Sequence, residues 1–562
     1  MKRQLILVLV MMFIASSVTA QSKLEQNFAK ISQEILENLQ SFYPVTCTKK
    51  GIHDYDYRFT DYSKKSINSE ISRLKKFEQR LYKYNKSRLS ENSRINLQLL
   101  KSDVDIALAN LNKVRVHRIN PYLYVSDAVN GIYLILATES APLETRVHNV
   151  MARLRVVPDL FRQAKNNLKS PPPIYIELAI GMLDTGMDFY RTVDAELSAR
   201  FPELSRDINA ATSGAIGSML DFKEFLKNIT PGDAGSFAVG KENFDYRLKH
   251  EYFFDYDSDS LLKIGESLLE QTLSEYDEYL TELDSSDEGV DSVFVIDCVT
   301  KDDILDYYNW EVEQTRLFLK ENDIVAIPDD IGQCKVIETP SFLTNVVSTI
   351  AYQPPGVFSP DQTGLFYVRP IPDSMDAGER EARYRYIQRR GFKGSVVHEA
   401  YPGHHLQFQM ASRVNDEVRK WHANPCLYEG WALYCEEMMY ENGFYGSDSR
   451  KYLNILDGIL FRAVRIVVDV KLHTGQMTID EAVQWMSDVL QWDTSWARIE
   501  VNRYTLTPTV PMSYLIGKLE ILKLRDAARA REGESFSLKD FHDRLLSEGS
   551  LPPPLIREIW GL

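Results

Sequence analysis

One ten-residue segment carries most of the residues that could do chemistry in this chain. Residues 398–407 read HEAYPGHHLQ, in a chain that has only 10 His among 562 residues. A His-Glu pair followed by a further His about one helical turn later is how zinc hydrolases hold a metal beside a general base. The segment therefore predicts a zinc site with His398 and His404 as ligands and Glu399 as the base.

The spacing of these histidines requires an interruption of the helix. On an unbroken helix His404, six residues after His398, would point roughly 240° away, and His405 would lie about 10.5 Å along the axis. Pro402-Gly403 supplies the break, because proline cannot donate to the preceding turn and glycine accepts unusual backbone angles. If two residues bulge out, His404 returns to the face of His398. His405 and Gln407 are then expected around the ligands, in contact with them and not with the metal.

A second segment offers the third ligand that a catalytic zinc site needs. Asn424-Pro425 has the pattern of a helix N-cap followed by proline at the first helical position. Glu429 lies one turn into that helix, beside Gly430, whose missing side chain would let the helix approach the first one. Glu436 shares the face of Glu429 and could orient a ligand histidine. We predict Glu429 as the third ligand, with Glu436 as the alternative.

The two segments together resemble a bacterial family known as domain of unknown function 885. The resemblance rests on the patterns HExxPGHHxQ and YxEGWAxYxE, and it extends to residues 157–158, 167–174, 364–368 and 503–517. The EGWA stretch is also similar to the NEGFA stretch of zinc aminopeptidases, in which the Glu binds the metal. The resemblance implies a gluzincin-type metallopeptidase acting on peptides, with zinc on His398, His404 and Glu429. The tail departs from the family, since Thr507-Pro508-Thr509 stands where such proteins often carry Pro-Gly-Gln.

Peptide hydrolysis at such a site needs a donor for the oxyanion of the tetrahedral intermediate. The candidates are Tyr504 and Tyr514, with Arg503 as an assisting cation. The chain has 30 Tyr, so each of the two tyrosines could instead be an ordinary core residue, and the sequence leaves that choice open.

The first 20 residues have the pattern of a secretory signal peptide. Lys2 and Arg3 precede an apolar stretch from Leu5 to Ala15, and small residues end at Ala20. Eleven apolar residues are too few for a membrane span, which takes about 20. No Cys follows the cleavage point, which argues against a lipid anchor. We expect a periplasmic or secreted protein with no membrane span.

Composition excludes some partners and some kinds of fold. The formal net charge is −15, which argues against nucleic acid and anionic membrane surfaces as partners. Five cysteines are few and odd in number for an exported chain, so a disulfide framework is not expected. We interpret Cys426 and Cys435, which flank the proposed ligand helix, as small buried residues.

The hydrophobic pattern is mainly helical, so the predicted fold is mainly α. The resemblance further implies a zincin-like metallopeptidase with a helical cleft and a small β-sheet beside the motif helix. A break at 230–235 suggests an N-terminal helical half, 21–235, and a catalytic half, 236–562. Strand patterns are short, at 292–296, 334–338 and 364–369. The expected helices are 24–42, 66–85, 90–113, 143–168, 174–201, 215–228 and 259–284.

We interpret a motif that imitates a calcium loop, and a separate acidic run, as segments that bind no ligand. Asp255, Asp257, Asp259 and Glu266 have the spacing of an EF-hand loop, but Ser260 stands where the loop needs glycine. An N-cap with acidic residues in the first turn explains the pattern better. The run 284–291 is expected to be a solvated loop.

Two rival functions remain compatible with the motifs. The same zinc, water and Glu399 could hydrolyse a non-peptide amide, or the protein could keep the metal and bind ligands without turnover. The sequence does not indicate the oligomeric state, nor whether cleavage would be terminal or internal.

Overall fold

Helices form most of the chain in the computed structural model, which describes residues 2–283, 300–340, 343, 350–371, 375–381, 392–446 and 450–562, and the side chains from residue 22 onward. The helices of the N-terminal half are α1 Lys2–Phe42, α2 Pro44–Lys50, α3 Lys64–Leu81, α4 Glu91–Leu108, α5 Val116–Ile119, α6 Pro121–Ala137, α7 Leu143–Asn167, α8 Pro173–Arg200 and α9 Ser205–Asn228. A π-helical turn, Ala109–Val114, extends α4, and short 3-10 turns lie at Lys86–Arg88 and Gly533–Ser535.

The second half contains thirteen further helices whose two ends both lie in its described part. They are α10 Lys241–His250, α11 Ser258–Glu282, α12 Lys301–Glu321, α13 Phe392–Glu399, α14 His404–Ser412, α15 Glu417–Trp421, α16 Pro425–Glu441, α17 Arg450–His473, α18 Ile479–Leu490, α19 Thr494–Leu506, α20 Ser513–Glu532, α21 Leu538–Ser547 and α22 Pro553–Trp560. The expectation of a mainly α protein is confirmed. Each of the seven predicted helices is present.

One clear error in a helix boundary concerns α9. The sequence predicts its start at 215, whereas the helix begins at Ser205. The additional turns bury Ile208, Ala211 and Thr212. Two of these side chains are small or polar, so the apolar stripe was too weak to detect from hydrophobic periodicity.

One small sheet joins segments that precede the motif helix. Its strands are β1 Cys334–Glu338, β2 Ile350–Gln353 and β3 Gly364–Val368, in the order β1-β3-β2. β1 runs parallel to β3, and β2 runs antiparallel to it. The predictions for β1 and β3 are confirmed. β2 was missed because it has only four residues, and the predicted strand at 292–296 lies outside the described residues, as does the acidic run 284–291.

The main hydrophobic cluster draws on both halves of the chain. It includes Ile35 and Val129 from the first half and Trp431 and Trp560 from the second. Two smaller clusters lie around α17, one centred on Ile466 and the other on Val464 and Tyr504. The segment 230–235 connects α9 and α10 as a loop, and the proposed division at 235 stays a prediction.

Three local predictions can be compared directly with the structure. The Asp257 side chain accepts from the backbone N–H of Ser260 at 3.0 Å, which confirms the predicted N-cap. Cys426 and Cys435 are buried and unpaired, as expected. Among the residues searched, none of the helices is both long enough and apolar enough to span a membrane.

Candidate metal centre

The motif segment forms two helices separated by a four-residue bulge. α13 ends at Glu399 and α14 begins at His404. Across the bulge the N–H of Gly403 donates to the Val397 carbonyl at 3.0 Å, and the N–H of His405 donates to Ala400 at 3.1 Å. The imidazole centroids of His398 and His404 lie 4.8 Å apart with planes at 87°. The bulge therefore brings the two histidines together, as the spacing predicts.

Glycine at 403 is explained by its backbone angles and by close approach. Its φ of −66° and ψ of −130° together lie outside the helical and extended regions that other residues adopt, which confirms the sequence-based reason for this glycine. A Cβ at this position would also lie 2.0 Å from the carbonyl oxygen of His398 and 2.3 Å from that of Val397. The Trp431 indole N–H donates to the Pro402 carbonyl at 2.8 Å and ties the bulge to α16.

Glu429 completes a cluster of three donors. The Asn424 side chain accepts from the N–H of Cys426 and caps α16, with Pro425 at the first helical position, as predicted. Glu429 Oε2 lies 3.2 Å from His404 Nε2 and 3.7 Å from His398 Nε2. One donor atom from each residue falls within 4.8 Å of the other two.

The donor set fits a tetrahedral divalent cation. Two ligand atoms that each lie about 2.1 Å from one zinc ion are about 3.4 Å apart. The distances from Glu429 Oε2 to the two histidine nitrogens, 3.2 and 3.7 Å, lie on either side of this value. Glu429 Oε2 is buried and, within the part of the chain that the structure describes, has no hydrogen bond of good geometry. A buried carboxylate oxygen of this kind needs a cation or a donor. His398, His404 and Glu429 are therefore the residues that could hold a metal.

Glu436 makes the contact that its position on the helix predicts. Its Oε1 lies 2.8 Å from His398 Nδ1, and Arg462 Nη2 lies 3.5 Å from the same oxygen. Because the carboxylate accepts the Nδ1 proton, Nε2 of His398 is left as the nitrogen that faces Glu429 and would bind a metal. Of the two candidate third ligands, Glu429 faces the cluster and Glu436 orients a histidine.

Charge is strongly coupled within the cluster. Burial alone would raise the pKa of Glu429, but the neighbouring His404 and His398 hold that pKa well below its usual range. Burial alone would lower the pKa of His398, but Glu429 and Glu436 raise it to about 9. Burial raises the pKa of Glu399 despite the two histidines. Glu399 is the carboxylate of this group that is most inclined to take up a proton.

The fourth helix of the site is α20, and it approaches α16 at a pair of glycines. A Cβ on Gly430 would lie 2.4 Å from the carbonyl carbon of Gly517, and a Cβ on Gly517 would lie 2.0 Å from the Cys426 carbonyl oxygen. The expectation that Gly430 lets α16 approach the motif helix was wrong. The two glycines instead place Tyr514, one turn before Gly517, beside Glu429.

Tyr514 is the tyrosine that reaches the cluster. Its ring stacks with that of His398 at a centroid distance of 6.3 Å and an interplanar angle of 11°. The Arg465 guanidinium lies 4.6 Å from the centre of the same ring, on α17. Burial, reinforced by the Glu429 carboxylate, raises the pKa of Tyr514 to about 12. The hydroxyl therefore stays protonated at neutral pH and can donate.

Tyr504 and Arg503 belong to a separate buried network. The Tyr504 hydroxyl donates to Glu500 at 2.8 Å and accepts from Arg465 Nε at 2.9 Å, and its side chain is fully buried. Arg503 donates to the same Glu500 oxygen at 2.7 Å. The interpretation of Tyr504 as an oxyanion donor is therefore corrected: its hydroxyl is already committed. Arg465 connects this network to the Tyr514 ring.

His405 and Gln407 hold the motif helix to other segments. His405 Nε2–H donates to the Gly332 carbonyl at 2.9 Å, so its Nδ1 accepts from the Tyr352 hydroxyl at 2.7 Å. Gln407 donates to the Gly549 carbonyl and the Ser550 hydroxyl. Neither set of hydrogen bonds reaches His398 or His404, which differs from the expectation that both residues surround the ligands.

Comparison with known proteins is consistent with this architecture. Residues 44–559 match the model of a family described as "Bacterial protein of unknown function (DUF885)". The chain belongs to this family. No curated protein matches it.

Two solved structures resemble this DUF885 member in fold. One, from Shewanella oneidensis and described as a candidate lipoprotein, has a TM-score of 0.74 and 20% identity, over 95% of this chain and 100% of the other. A candidate lipoprotein from Colwellia psychrerythraea has a TM-score of 0.76 and 19% identity, and the match covers 95% of this chain and 98% of the other. At these identities the likeness shows the fold alone.

Two residues of the DUF885 site were missed by sequence reasoning. Tyr352 lies on the unpredicted strand β2, and its ring stacks at 6.4 Å with that of His404. Arg465 lies in a helix with an ordinary apolar pattern. The sequence signal for Tyr352 was Gly364, whose absent side chain leaves room for the Tyr352 hydroxyl. No signal in the sequence distinguishes Arg465 from the other arginines.

Proposed function

We propose that this protein is an exported zinc-dependent metallopeptidase. The observation that carries the proposal is the convergence of His398, His404 and Glu429 within 4.8 Å, with Glu399 beside them. A His2Glu set is the ligand type that zinc peptidases use, and it favours zinc over harder cations. The proposed architecture is a zincin-like site in a helical cleft.

The roles of the side chains follow from their placement. Zinc, when bound, lowers the pKa of a coordinated water toward 7 and polarises the scissile carbonyl. Glu399 takes the proton from the attacking water and returns it to the leaving amine. Tyr514 donates its hydroxyl hydrogen to the developing oxyanion. Glu436 holds His398 in one tautomer and orientation throughout.

We propose that the backbone of the substrate binds along strand β2. This strand pairs with β3 on one side and, within the residues described, has no partner strand on the other. Its Tyr352 contacts both His404 and His405, so the strand lies against the motif helix. An extended peptide can add to such an edge through main-chain hydrogen bonds. This arrangement favours peptides over compact amides as substrates.

Export is proposed on two grounds. The first 20 residues have the pattern of a signal peptide. The two structural neighbours are described as candidate lipoproteins. We therefore propose a location in the periplasm or outside the cell.

A peptide library tests the proposal directly. Purified residues 21–562 and the Glu399→Gln variant are incubated with mixed peptides, and products are read by mass spectrometry beside zinc content by elemental analysis. We expect one zinc per chain in both proteins, cleavage by the wild type, and a loss of at least a hundredfold in rate in the variant.

The two rival functions give different results in the same experiment. Zinc at one per chain without peptide cleavage would move the assignment to a non-peptide amide hydrolase or to a binding protein. Turnover of a non-peptide amide that Glu399→Gln abolishes would support the first of these. Absence of zinc from the wild type, or equal cleavage by both proteins, would sink the proposal.

A further inference from the structure

A second cavity lies in the N-terminal half, well separated in sequence from the metal cluster. Its volume is about 650 Å³, and its lining residues fall between Tyr62 and Lys169. The cavity shares no lining residue with the segments 398–436 and 503–517 that form the site described above. Ligand cavities for small organic molecules typically measure about 300–1,000 Å³. The cavity is therefore large enough for a small organic molecule.

The charged side chains that line this cavity are all cations. Acidic residues outnumber basic ones by 80 to 65 in the whole chain, yet the described lining contains five cations and no carboxylate. Of these cations, only Arg162 pairs with an acid in the described part of the chain, namely Asp159. We call the cavity the basic pocket, after the cations Lys64, Arg115, Arg118, Arg162 and Lys169.

Helix stability does not explain the placement of two of these cations. Lys64 is the first residue of α3, where the positive end of the helix dipole disfavours a cation. Arg115 separates the π-helical turn from α5 with a φ of 57°, in the left-handed region that glycine or asparagine adopts more easily. Arg162 and Lys169, by contrast, lie near the C-terminal end of α7, where cations favour the helix.

The basic pocket also contains buried polar groups without partners. His117 lines it with only 7% of the residue exposed, and its Nδ1 makes no hydrogen bond in the described structure. Gln163 Oε1, also in the lining, is likewise buried and unpaired. Burial and the charges of Arg118 and Arg115 lower the pKa of His117 to about 4. Its ring is therefore neutral at pH 7 and can donate one N–H to a ligand oxygen.

We propose that the basic pocket binds a small organic phosphate or sulfate ester. The cations come from three separate segments, at Lys64, at Arg115 and Arg118, and at Arg162 and Lys169. A tetrahedral oxyanion presents oxygens in several directions and can contact all three segments, and guanidinium groups bind such groups through paired N–H donors. The apolar side chains of the lining accommodate the organic part. The inference is independent of the peptidase activity.

Calorimetric titration with sodium pyrophosphate tests the pocket. The full chain is first treated with chelator, because a bound metal would itself recruit pyrophosphate. We expect one pyrophosphate per chain and at least tenfold weaker binding to Lys64→Glu/Arg118→Glu. The matched control is Lys65→Glu/Lys76→Glu, which makes the same change in charge at exposed residues of α3 outside the lining. We expect its affinity to stay within twofold of the wild type.

Further measurements separate a built site from general charge. Absence of pyrophosphate binding at millimolar concentrations, or equal weakening in both double variants, would overturn the proposal. His404→Ala should bind pyrophosphate as the wild type does, and loss of binding there would place the anion at the metal cluster. If Lys64→Glu/Arg118→Glu unfolds at lower denaturant than its control, Lys169→Glu replaces it with the same tenfold expectation.

The chemical source of the anion is distinguished with matched sugars. Glucose 6-phosphate and glucose 6-sulfate contain the same sugar and differ only in the ester group. The ester that binds with the higher affinity therefore identifies the preferred group. Unesterified glucose should show at least tenfold weaker binding than either. Glucose binding equal to that of the esters would contradict an anion site.

Discussion

Gly430 and Gly517 face each other where α16 and α20 cross, so closely that a Cβ on Gly430 would lie 2.4 Å from the backbone of Gly517. Each glycine is near a side chain of the proposed site, Glu429 on one helix and Tyr514 on the other. The backbone contact between the helices therefore sets the distance between the proposed third metal ligand and the proposed oxyanion donor.

Replacing either glycine should separate these helices. For Gly430→Ala we expect a loss of about 1–3 kcal/mol in the free energy of unfolding, because the methyl group meets backbone that cannot move aside easily. Zinc affinity should fall with it. Gly214→Ala is the control, since its site in α9 has open space within 4 Å, and there alanine should be neutral or slightly stabilising. Urea unfolding measures the stability of the two variants, and zinc titration measures their metal affinity. Wild-type stability and wild-type zinc affinity in Gly430→Ala would contradict the close contact.

The two adjacent histidines should separate metal binding from stability. His404→Ala should lose zinc, because it removes a donor from the cluster. His405→Ala should keep one zinc per chain but unfold more easily, by about 1–3 kcal/mol, since the Gly332 carbonyl and the Tyr352 hydroxyl lose their buried partner. Elemental analysis and denaturation distinguish the variants. Zinc lost in His405→Ala and kept in His404→Ala would refute the bulge geometry.

Glu436 should tune metal affinity without binding the metal. Glu436→Gln removes the charge that faces His398 Nδ1, and second-sphere changes of this kind typically weaken zinc binding by about 10–100-fold. Glu441→Gln on the same helix serves as control, because its carboxylate pairs with Arg525 at a more exposed position. Competition with a chromophoric chelator gives both affinities. Equal affinities for the two variants would remove Glu436 from the site.

Tyr514 and Tyr504 should differ in the kind of defect that their phenylalanine variants show. Tyr514→Phe should lower kcat by about 10²–10³ with little change in KM, as expected for the loss of a donor to the oxyanion. Tyr504→Phe should instead lower stability by about 1–3 kcal/mol, because Glu500 and Arg465 lose a buried partner. Steady-state kinetics on a peptide substrate and urea unfolding separate the two. A kcat loss in Tyr504→Phe at unchanged stability would reverse the assignment.

A pH dependence of stability should arise at Asp469, a fully buried residue of α17. Burial raises the pKa of its carboxyl to about 8, although the N–H groups of Thr509 and Met512 donate to it. The unfolded chain releases this proton near pH 3.9. Between about pH 4 and 8 the folded state therefore holds more protons, so this group's contribution to stability falls as pH rises.

The variant Asp469→Asn cannot titrate and isolates the effect. Its unfolding free energy, relative to the wild type, should rise between pH 5 and 8, by up to about 1.4 kcal/mol for each pH unit. Urea unfolding of both proteins at pH 5, 6.5 and 8 measures the difference in unfolding free energy. The contributions of the other titratable groups cancel in this difference, because both proteins contain them. A difference that stays constant would mean that Asp469 is charged in the folded protein.

Local spacing in the sequence determined much of the proposed site and the helical class of the fold. The proline and glycine between His398 and His404, the N-cap at Asn424, and the position of Glu436 on the face of Glu429 each follow from relations over a few residues, which backbone geometry restricts strongly. The helical class followed for the same reason, since periodicity is a short-range pattern.

Tertiary packing decided the rest. Gly430 packs against Gly517 and not against the motif helix, and Tyr514 and not Tyr504 meets the proposed metal donors. His405 anchors a loop and strand β2, and the cations of the basic pocket converge from three segments. These relations join residues that are tens to more than a hundred positions apart. They depend on which helix faces pack together, a choice made by the whole core, and no local pattern in one sequence carries that information.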